Sequence, residues 1–248
     1  MTLPQVFLTT PIAHRGFHAP GVPENSLAAA RAAIEAGYGI ECDIQPAADG
    51  TPMVFHDYDM ARLTGQAGFI AQTSPADLAA LRLTGSDEKI PTLAEFLDLV
   101  AGRVPLLIEI KDQDGRLGPD VGDLPARVAQ ALEGYDGPVA LMSFSPDTVA
   151  AFHAAAPAVP VGLTTCDYAE ADWPQVPAER REALSLIVDY DRVGACFISH
   201  SRGDLGNPRV DALRADGAAV LTWTIRSPEQ EAEARKVAQN ITFEGYAA

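Results

Sequence analysis

The sequence predicts an α/β fold, and within that class a (β/α)8 TIM barrel, from three observations. Short segments rich in β-branched and aliphatic residues alternate along the 248 residues with alanine-rich segments of helical pattern. Parallel strands need a long connection, which a helix supplies, so the alternation favours parallel strands joined by right-handed crossovers. One pair of strand segments is joined instead by the short turn PAADGT, which leaves eight parallel strands, a number that suits a barrel of roughly 250 residues.

Nine segments are predicted to be strands because their composition and length are typical of strands. They are residues 11–16, 39–44, 52–57, 105–111, 139–144, 160–165, 195–200, 220–225 and 240–245. The turn between the second and third segments contains Asp49-Gly50, a strong signal for an antiparallel hairpin. Neither common type of glycine-rich nucleotide-binding loop is present, so a doubly wound nucleotide fold is the second choice.

Capping residues mark the starts of the predicted helices. Residues 25–36 form an apolar helical stripe between a cap at Asn25 or Ser26 and a stop at Gly37, and a T-x-x-E capping box begins another helix at Thr92. Four more helices are predicted where a capping residue precedes proline, because proline at the first helical position lacks an N–H that would be unpaired there. These starts are Ser74-Pro75, Ser145-Pro146, Asn207-Pro208 and Ser227-Pro228.

The whole chain, residues 1–248, is predicted to be a single domain with one small insertion. Residues 57–90 follow His56 without a clear strand pattern. We expect this insertion to lie over the site and to contain one short helix, which begins after Ser74-Pro75.

Charge and cysteine content argue against several classes of partner. The 34 acidic and 18 basic residues give a formal net charge of −16, which argues against nucleic acid or an anionic membrane as a partner. The 3 cysteines include no C-x-x-C pair, so neither a disulfide framework nor a zinc cluster is indicated and a reducing compartment is expected. With no targeting sequence or membrane-spanning run, we expect a cytoplasmic protein without a stable membrane anchor. The oligomeric state is left open.

Three carboxylates on two predicted strands indicate a metal site. Glu41 and Asp43 are two residues apart and share one face of their strand, and Glu109 and Lys111 do the same on another strand. A single acid in a strand is usually an edge residue that faces water, but the repeated pattern is harder to explain in that way. Buried carboxylates repel one another unless cations pair with them, so the set favours a hard divalent ion, Mg²⁺ or Ca²⁺.

His14 and His56 each follow a strand segment and have neighbours that suggest chemistry. A lone histidine at such a position is more often structural. Arg15, however, offers a donor for phosphate, and Asp57 could fix one tautomer of His56. Two histidines beside a metal, with Arg15 and Lys111 as fixed cations, fit phosphoryl transfer by general acid–base catalysis.

Trp223 and Glu24 each allow two interpretations. Trp223 lies in the strand segment LTWTI, where core packing is the default and a wall against an alcohol or glycerol group is the alternative. Glu24 precedes a helix, where an acid favours the helix dipole, and a ligand role competes evenly with that explanation. His18 and His200 could contact a substrate, whereas His153 is a helix-face residue by default.

Seven motifs, taken together, resemble the glycerophosphodiester phosphodiesterase family. They are HRG (14–16), PENS (23–26), ECD (41–43), DGTPMVFHD (49–57), EIK (109–111), SF (143–144) and WTI (223–225), in the family's order over nearly the whole chain. The resemblance implies a TIM barrel and an enzyme of glycerol and lipid metabolism. Its reaction would be the metal-dependent hydrolysis of a small-molecule glycerophosphodiester to glycerol 3-phosphate and an alcohol.

The resemblance also implies roles for individual residues. The implied metal ligands are Glu41, Asp43 and Glu109, the implied general acid and base are His14 and His56, and the implied substrate contacts are Arg15, Lys111, Glu24 and Trp223. In this mechanism a neighbouring glycerol hydroxyl attacks phosphorus first, and water then opens the cyclic phosphate. The sequence does not decide which histidine is the acid.

Two positions depart from the family pattern. Arg226 stands where the family often has asparagine, and residues 242–245 read TFEG where the family usually has T-D-x-P. We expect both to lie near the rim, where they would affect specificity. Two alternatives stay open: a related phospholipase that acts on lipid diesters, and a barrel that binds a phosphate ligand without catalysis.

Overall fold

The computed structural model describes all residues, 1–248, and shows a closed barrel of parallel strands surrounded by helices. The strands are β1 Ile12–Ala13, β2 Gly39–Pro46, β3 Pro52–Val54, β4 Leu106–Ile110, β5 Val139–Ser143, β6 Val161–Thr165, β7 Phe197–Ser201, β8 Ala219–Ile225 and β9 Asn240–Phe243. They pair in the order β1-β9-β8-β7-β6-β5-β4-β2-β3, and β1 also pairs with β2, which closes the barrel. The predicted (β/α)8 fold is confirmed.

The hairpin is also confirmed, although several predicted strands are too long, most of all the first and the third. β3 pairs with β2 in antiparallel fashion across the turn that contains Gly50, whose φ is 83°. β1 ends at Ala13 because Arg15 and Gly16 have φ angles of 55° and 80°, which turn the chain out of the strand. β3 likewise ends at Val54. The two candidate histidines therefore lie in loops that follow strands.

Ten helices surround the barrel or extend from it. They are α1 Val6–Thr9, α2 Leu27–Ala36, α3 Ala61–Thr64, α4 Pro75–Ala80, α5 Leu93–Val100, α6 Leu124–Ala131, α7 Pro146–Ala155, α8 Ala178–Ser185, α9 Pro208–Ala215 and α10 Pro228–Ala234. Every predicted cap begins a helix, with Ser26 rather than Asn25 as the cap of α2. No predicted cap marks the start of α1, α3, α6 or α8, and none of these helices has a side-chain capping hydrogen bond.

The insertion contains more structure than the sequence predicted. Residues 57–90 form α3, a 3-10 turn at Ile70–Gln72 and α4, whereas only the last of these was expected. The first two are too short to produce a readable helical period. Apolar side chains of the insertion form a small core with the hairpin. They include Met53, Phe55, Met60, Ile70, Leu78, Leu83 and Ile90.

The N-terminal end of the barrel is closed by apolar packing. Residues before β1 place Leu3 and Phe7 against the barrel interior, where they meet Ile12, Leu107, Phe197 and Leu221. The polar side chains that matter for function therefore lie at the opposite end, where the strands finish and the connecting loops begin. No helix in the structure combines the length and the apolar composition that crossing a bilayer requires.

Candidate active site

A cavity of about 190 Å³ opens at the C-terminal ends of the strands. It is lined by His14, Arg15, Glu41, Asp43, His56, Glu109, Lys111, Met142, Phe144, Thr164, Trp223, Thr224, Arg226 and Thr242. Eight of the nine residues singled out from the sequence are in this lining, and Glu24 is the exception. Strands far apart in the chain thus bring these side chains to one place.

The three candidate metal ligands are buried together. Asp43 and Glu109 are direct partners across β2 and β4, and Glu41 is two residues before Asp43 on the same face. Each residue offers a carboxylate oxygen, and these oxygens all lie within 4.8 Å of one another. Cys42, between the two β2 carboxylates, belongs to the main hydrophobic core on the other face of the strand.

Lys111 and Arg15 offset part of this negative charge. Lys111 Nζ lies 2.6 Å from Asp43 Oδ1 and 2.5 Å from Glu109 Oε1, and Arg15 Nε lies 3.4 Å from Asp43 Oδ2. Burial would raise the pKa of Asp43, but the charges of Lys111, His56 and Arg15 together outweigh it and hold the pKa well below its ordinary value. Burial would lower the pKa of Lys111, and its two carboxylate partners raise it instead.

Glu41 has the least compensation of the three. Its Oε2 accepts a hydrogen bond from the backbone N–H of Arg15 at 2.9 Å. Burial, followed by the charges of Asp43 and Glu109, raises the pKa of Glu41 well above its ordinary value. The two cations, Lys111 and Arg15, do not balance the charge of the three carboxylates, and every possible ligand atom is an oxygen. This combination fits a hard divalent cation.

Asn25 supports the metal site and was assigned no such role from the sequence. Its Nδ2 donates to Asp43 Oδ2 at 2.8 Å, and its Oδ1 accepts from the Asp43 backbone N–H at 3.2 Å. The residue is buried and has a φ of 56°, a left-handed conformation that asparagine tolerates better than most residues. The PENS motif contains Asn25, but only the fold brings it to β2.

Both candidate histidines bind a carboxylate through Nδ1. His14 Nδ1 lies 2.5 Å from Glu244 Oε2, and His56 Nδ1 lies 2.6 Å from Asp57 Oδ1. A carboxylate only accepts, so Nδ1 carries the proton and Nε2 is left for other partners. Burial lowers the pKa of His14 even though Glu244 opposes the effect.

Glu24 lies outside the cavity but orders two arginines. Its Oε1 accepts from Arg15 Nη1 at 2.6 Å, and its carboxylate also binds Arg62 of α3 at 2.9 Å. Arg62 in turn donates to Asp57, with its Nε 2.6 Å from Oδ2. This chain of ion pairs ties the insertion to the loop before α2 and to His56. No local pattern predicts this role of Arg62, because its partners Glu24 and Asp57 meet only in the folded chain.

The comparison with known families now bears on this site. The sequence profile of the glycerophosphoryl diester phosphodiesterase family matches residues 14–240. The chain belongs to this family. The resemblance seen in the sequence, and with it the assignment to a family of phosphoric diester hydrolases, is confirmed.

Individual relatives of the glycerophosphodiester phosphodiesterase family match over most of their length. A glycerophosphodiester phosphodiesterase from Caldanaerobacter subterraneus is 32% identical over 234 residues, which are 89% of this chain and 87% of the relative. A solved Oleispira antarctica phosphodiesterase, in complex with the product sn-glycerol-3-phosphate, has a TM-score of 0.79 and 25% identity, and the match covers 97% of this chain and 94% of that one. A solved protein from Silicibacter pomeroyi, at 24% identity and a TM-score of 0.77, matches 96% of this chain and 90% of its own and supports the fold.

Trp223 forms part of an aromatic wall beside the cavity at the C-terminal ends of the strands. Its Nε1 donates to the Ser199 carbonyl at 2.9 Å, and its ring centroid lies 5.5 Å from that of Phe144. Phe144 also packs on Trp173, at 5.0 Å. Trp223 therefore packs against a neighbouring aromatic ring and also lines the cavity, so its surroundings agree with both interpretations.

The two departures from the phosphodiesterase family pattern contact each other. Arg226 donates to Glu244 Oε1 from Nε at 2.8 Å, and its Nη2 lies 2.7 Å from the same oxygen. Arg226 lines the cavity, as expected for a rim residue, while Glu244 binds His14. His200 is buried against Thr165 and does not line the cavity.

Proposed function

We propose that this protein is a metal-dependent hydrolase that cleaves glycerophosphodiesters to glycerol 3-phosphate and an alcohol. One observation carries the proposal: three buried carboxylates, two basic side chains and two carboxylate-bound histidines converge at one end of the barrel. Family membership supports the substrate class. The Oleispira relative, in complex with sn-glycerol-3-phosphate, supports the product.

Glu41, Asp43 and Glu109 would hold the divalent ion. We propose Mg²⁺ or Ca²⁺ because all the donors are carboxylate oxygens. When bound, the ion would supply positive charge that polarises the phosphoryl oxygens. Lys111 and Arg15 lie beside the same carboxylates and would bind the remaining phosphate oxygens.

His14 and His56 would carry the proton transfers through Nε2. In the first step one ring removes the proton from the attacking glycerol hydroxyl, and the other ring donates a proton to the departing alcohol oxygen. In the second step the roles exchange: the ring that lost its proton removes one from water, and the ring that gained one donates it to the glycerol oxygen that leaves phosphorus. Positioned groups of this kind contribute about 10²- to 10⁴-fold to a rate.

The remaining predicted residues would shape the site around the phosphate. Glu24 would order the Arg15 side chain, which it binds at 2.6 Å. The indole of Trp223, with Phe144 beside it, would form a wall for the glycerol or alcohol group.

We also propose that residues 1–248 act as a single domain with residues 57–90 as an insertion within it. Strands from the two ends of the chain, β1 and β9, pair with each other in the barrel, which supports one unit. A small-molecule partner and a cytoplasmic location, without nucleic acid or a membrane anchor, stay predictions. The net charge of −16 is the observation that argues against nucleic acid and an anionic membrane.

A substrate panel tests the function directly. Purified protein, stripped of metal and then supplied with Mg²⁺, Ca²⁺ or Mn²⁺, should release glycerol 3-phosphate from glycerophosphocholine, glycerophosphoethanolamine or a related diester. His14→Ala and His56→Ala should keep the fold and metal binding but lose at least about 100-fold in kcat. His153→Ala, on α7 and away from the cavity, is the matched control and should keep full activity. No turnover of any phosphodiester with any of these ions would refute the proposal.

A lipid diester is the second candidate substrate, and one observation favours it. Tyr58 and Phe69 are about half exposed, and the backbone of the insertion passes close to itself at these two residues, where the Ile70 N–H donates to the Tyr58 carbonyl at 3.0 Å. Apolar side chains beside a site can contact a lipid surface. Faster hydrolysis of lipid in vesicles than of the water-soluble diester with the same head group would favour this candidate.

A further inference from the structure

The loop after β9 supplies a carboxylate to the site from outside the family's matched region. Glu244 follows β9 directly, whereas the family profile ends at residue 240. We propose that Glu244, held by Arg226, is a positioning residue that fixes the orientation and tautomer of the His14 ring for proton transfer. This inference rests on the proposed function, because it assigns His14 to the proton transfer.

Strand register places these three residues side by side. Ala13 and Phe243 are partners across β1 and β9, and Ile225 and Phe243 are partners across β8 and β9. His14, Glu244 and Arg226 are the next residues after these partners on three adjacent strands. Backbone hydrogen bonds continue there: His14 N–H donates to the Phe243 carbonyl at 2.8 Å, and Glu244 N–H donates to the Ile225 carbonyl at 2.9 Å. The pairing of the backbone thus brings these three residues next to one another.

The two oxygens of Glu244 have different partners. Oε1 accepts from Arg226, at 2.8 Å from Nε, whereas Oε2 lies 2.5 Å from His14 Nδ1. His18 Nε2 lies 3.8 Å from the same Oε2, farther than a hydrogen bond. Arg226 therefore holds the carboxylate while leaving Oε2 to His14.

The bond to Glu244 decides which ring nitrogen is available. With the proton on Nδ1, the neutral ring has its lone pair on Nε2, which lies 4.0 Å from Glu41 Oε2. Without Glu244, the proton could move to Nε2, where the nearby charge of Glu41 would attract it. The ring would then have no free lone pair toward the cavity. Glu244 thus selects the tautomer that can accept a proton.

The second histidine has the same arrangement built from other elements. His56 Nδ1 binds Asp57, and Arg62 binds Asp57 with its Nε 2.6 Å from Oδ2. At both rings, therefore, a histidine binds a carboxylate and an arginine binds the same carboxylate. For His56 the carboxylate is the next residue, and for His14 it comes from the far end of the chain.

Variants of Glu244 and Arg226 test the inference. Glu244→Gln keeps the size of the side chain but removes the charged acceptor, and we expect kcat to fall about 10- to 100-fold with KM changed less than about threefold, the scale of a lost charged hydrogen bond. Glu244→Asp keeps the charge and should retain more activity than Glu244→Gln. Arg226→Met should lower kcat less than Glu244→Gln does, because the carboxylate stays in place.

A double variant shows whether Glu244 acts through His14. In the His14→Ala background, Glu244→Gln should change kcat by less than about twofold, because sites that act as one unit are not additive. Glu231→Gln is the matched control, since Glu231 binds Arg235 and Tyr246 at 2.7 and 2.9 Å without touching His14. It should keep wild-type kcat.

A spectroscopic readout does not depend on turnover. The ¹⁵N shifts of the imidazole nitrogens of His14, assigned by comparison with His14→Ala, should report a protonated Nδ1 in the neutral ring of the wild type and a mixture of tautomers in Glu244→Gln. The same tautomer in both proteins would overturn the inference, and so would normal kcat in Glu244→Gln when His14→Ala is impaired. Normal kcat in His14→Ala would instead overturn the role of His14 in the proposed function.

Discussion

Replacing Asn25 with alanine tests how the barrel holds a buried carboxylate. The substitution removes the amide that donates to Asp43 Oδ2 at 2.8 Å and accepts from the Asp43 N–H at 3.2 Å. Asn25 is only 1% exposed, so water cannot readily replace either bond. Alanine must also adopt the left-handed φ of 56° that asparagine has there.

The three contributions can be added from their usual sizes. Losing a bond to a charged group costs about 1.5–3 kcal/mol, and leaving a buried N–H without a partner costs about 1–3 kcal/mol. The left-handed backbone adds about 1 kcal/mol for alanine. The sum is about 3.5–7 kcal/mol, so we expect a loss of about 5 kcal/mol, which lowers Tm by about 10–20 °C in a protein of this size. Because Asn25 orients a proposed metal ligand, affinity for the divalent ion should also fall about 10- to 100-fold.

Unfolding in urea with a chelator present measures the stability, and calorimetric titration with Mg²⁺ or Ca²⁺ measures the affinity. Asn207→Ala is the matched control: it removes an amide that caps α9 and accepts from the Arg209 N–H at 3.0 Å. That change should cost about 1 kcal/mol and leave metal affinity unchanged. A loss below about 1 kcal/mol in Asn25→Ala, or unchanged metal affinity, would refute the reasoning.

Three further predictions concern the charges of the site. In metal-free protein at pH 7, Glu41→Gln should stabilise and Asp43→Asn destabilise. The pKa of Glu41 is raised, so its ionisation lowers stability only above its unfolded pKa of about 4, and the gain from Glu41→Gln in urea unfolding should shrink between pH 7 and pH 4. The pKa of Asp43 is held well below its unfolded value, so its stabilising contribution is lost only as pH falls toward that low folded pKa, and the cost of Asp43→Asn should be similar at pH 7 and pH 4. Adding a divalent ion at about 100 times its Kd should stabilise the wild type by about 2.7 kcal/mol, a rise of about 5–11 °C in Tm, and an unchanged Tm would contradict the metal site. Arg62→Met should lower kcat about 10-fold through the loss of its bonds to Asp57 and Glu24, with little change in Tm because the side chain is 48% exposed; wild-type kcat would show that these bonds are not needed.

Local spacing was sufficient to predict the fold and the carboxylates. The alternation of strand and helix signals led to the barrel, and the two-residue spacing placed Glu41 and Asp43 on one face. The alternation of side chains along β2 likewise placed Cys42 on the other face of the strand, in the main hydrophobic core. These properties depend on residues close in the chain, and tertiary contacts did not override them.

Long-range partners could not be predicted in the same way. Asn25 meets Asp43, Arg62 meets Glu24, and Glu244 meets His14 only after the strands are arranged around the barrel. The sequence marks residue 244 only as part of a departure from the family pattern, which predicts an effect on specificity. Its contact with His14, across 230 positions, has no local signal.

The barrel closes at β1, a strand of two residues that pairs with β2 on one side and with β9 on the other. His14 and Glu244 face each other across this seam, one near the start of the chain and one near its end. During synthesis on the ribosome, the first histidine is therefore made long before the carboxylate that orients it. A nascent chain that lacks β9 and residue 244 has His14 without its carboxylate partner, so the arrangement that we propose for proton transfer is completed only after residue 244 has been made.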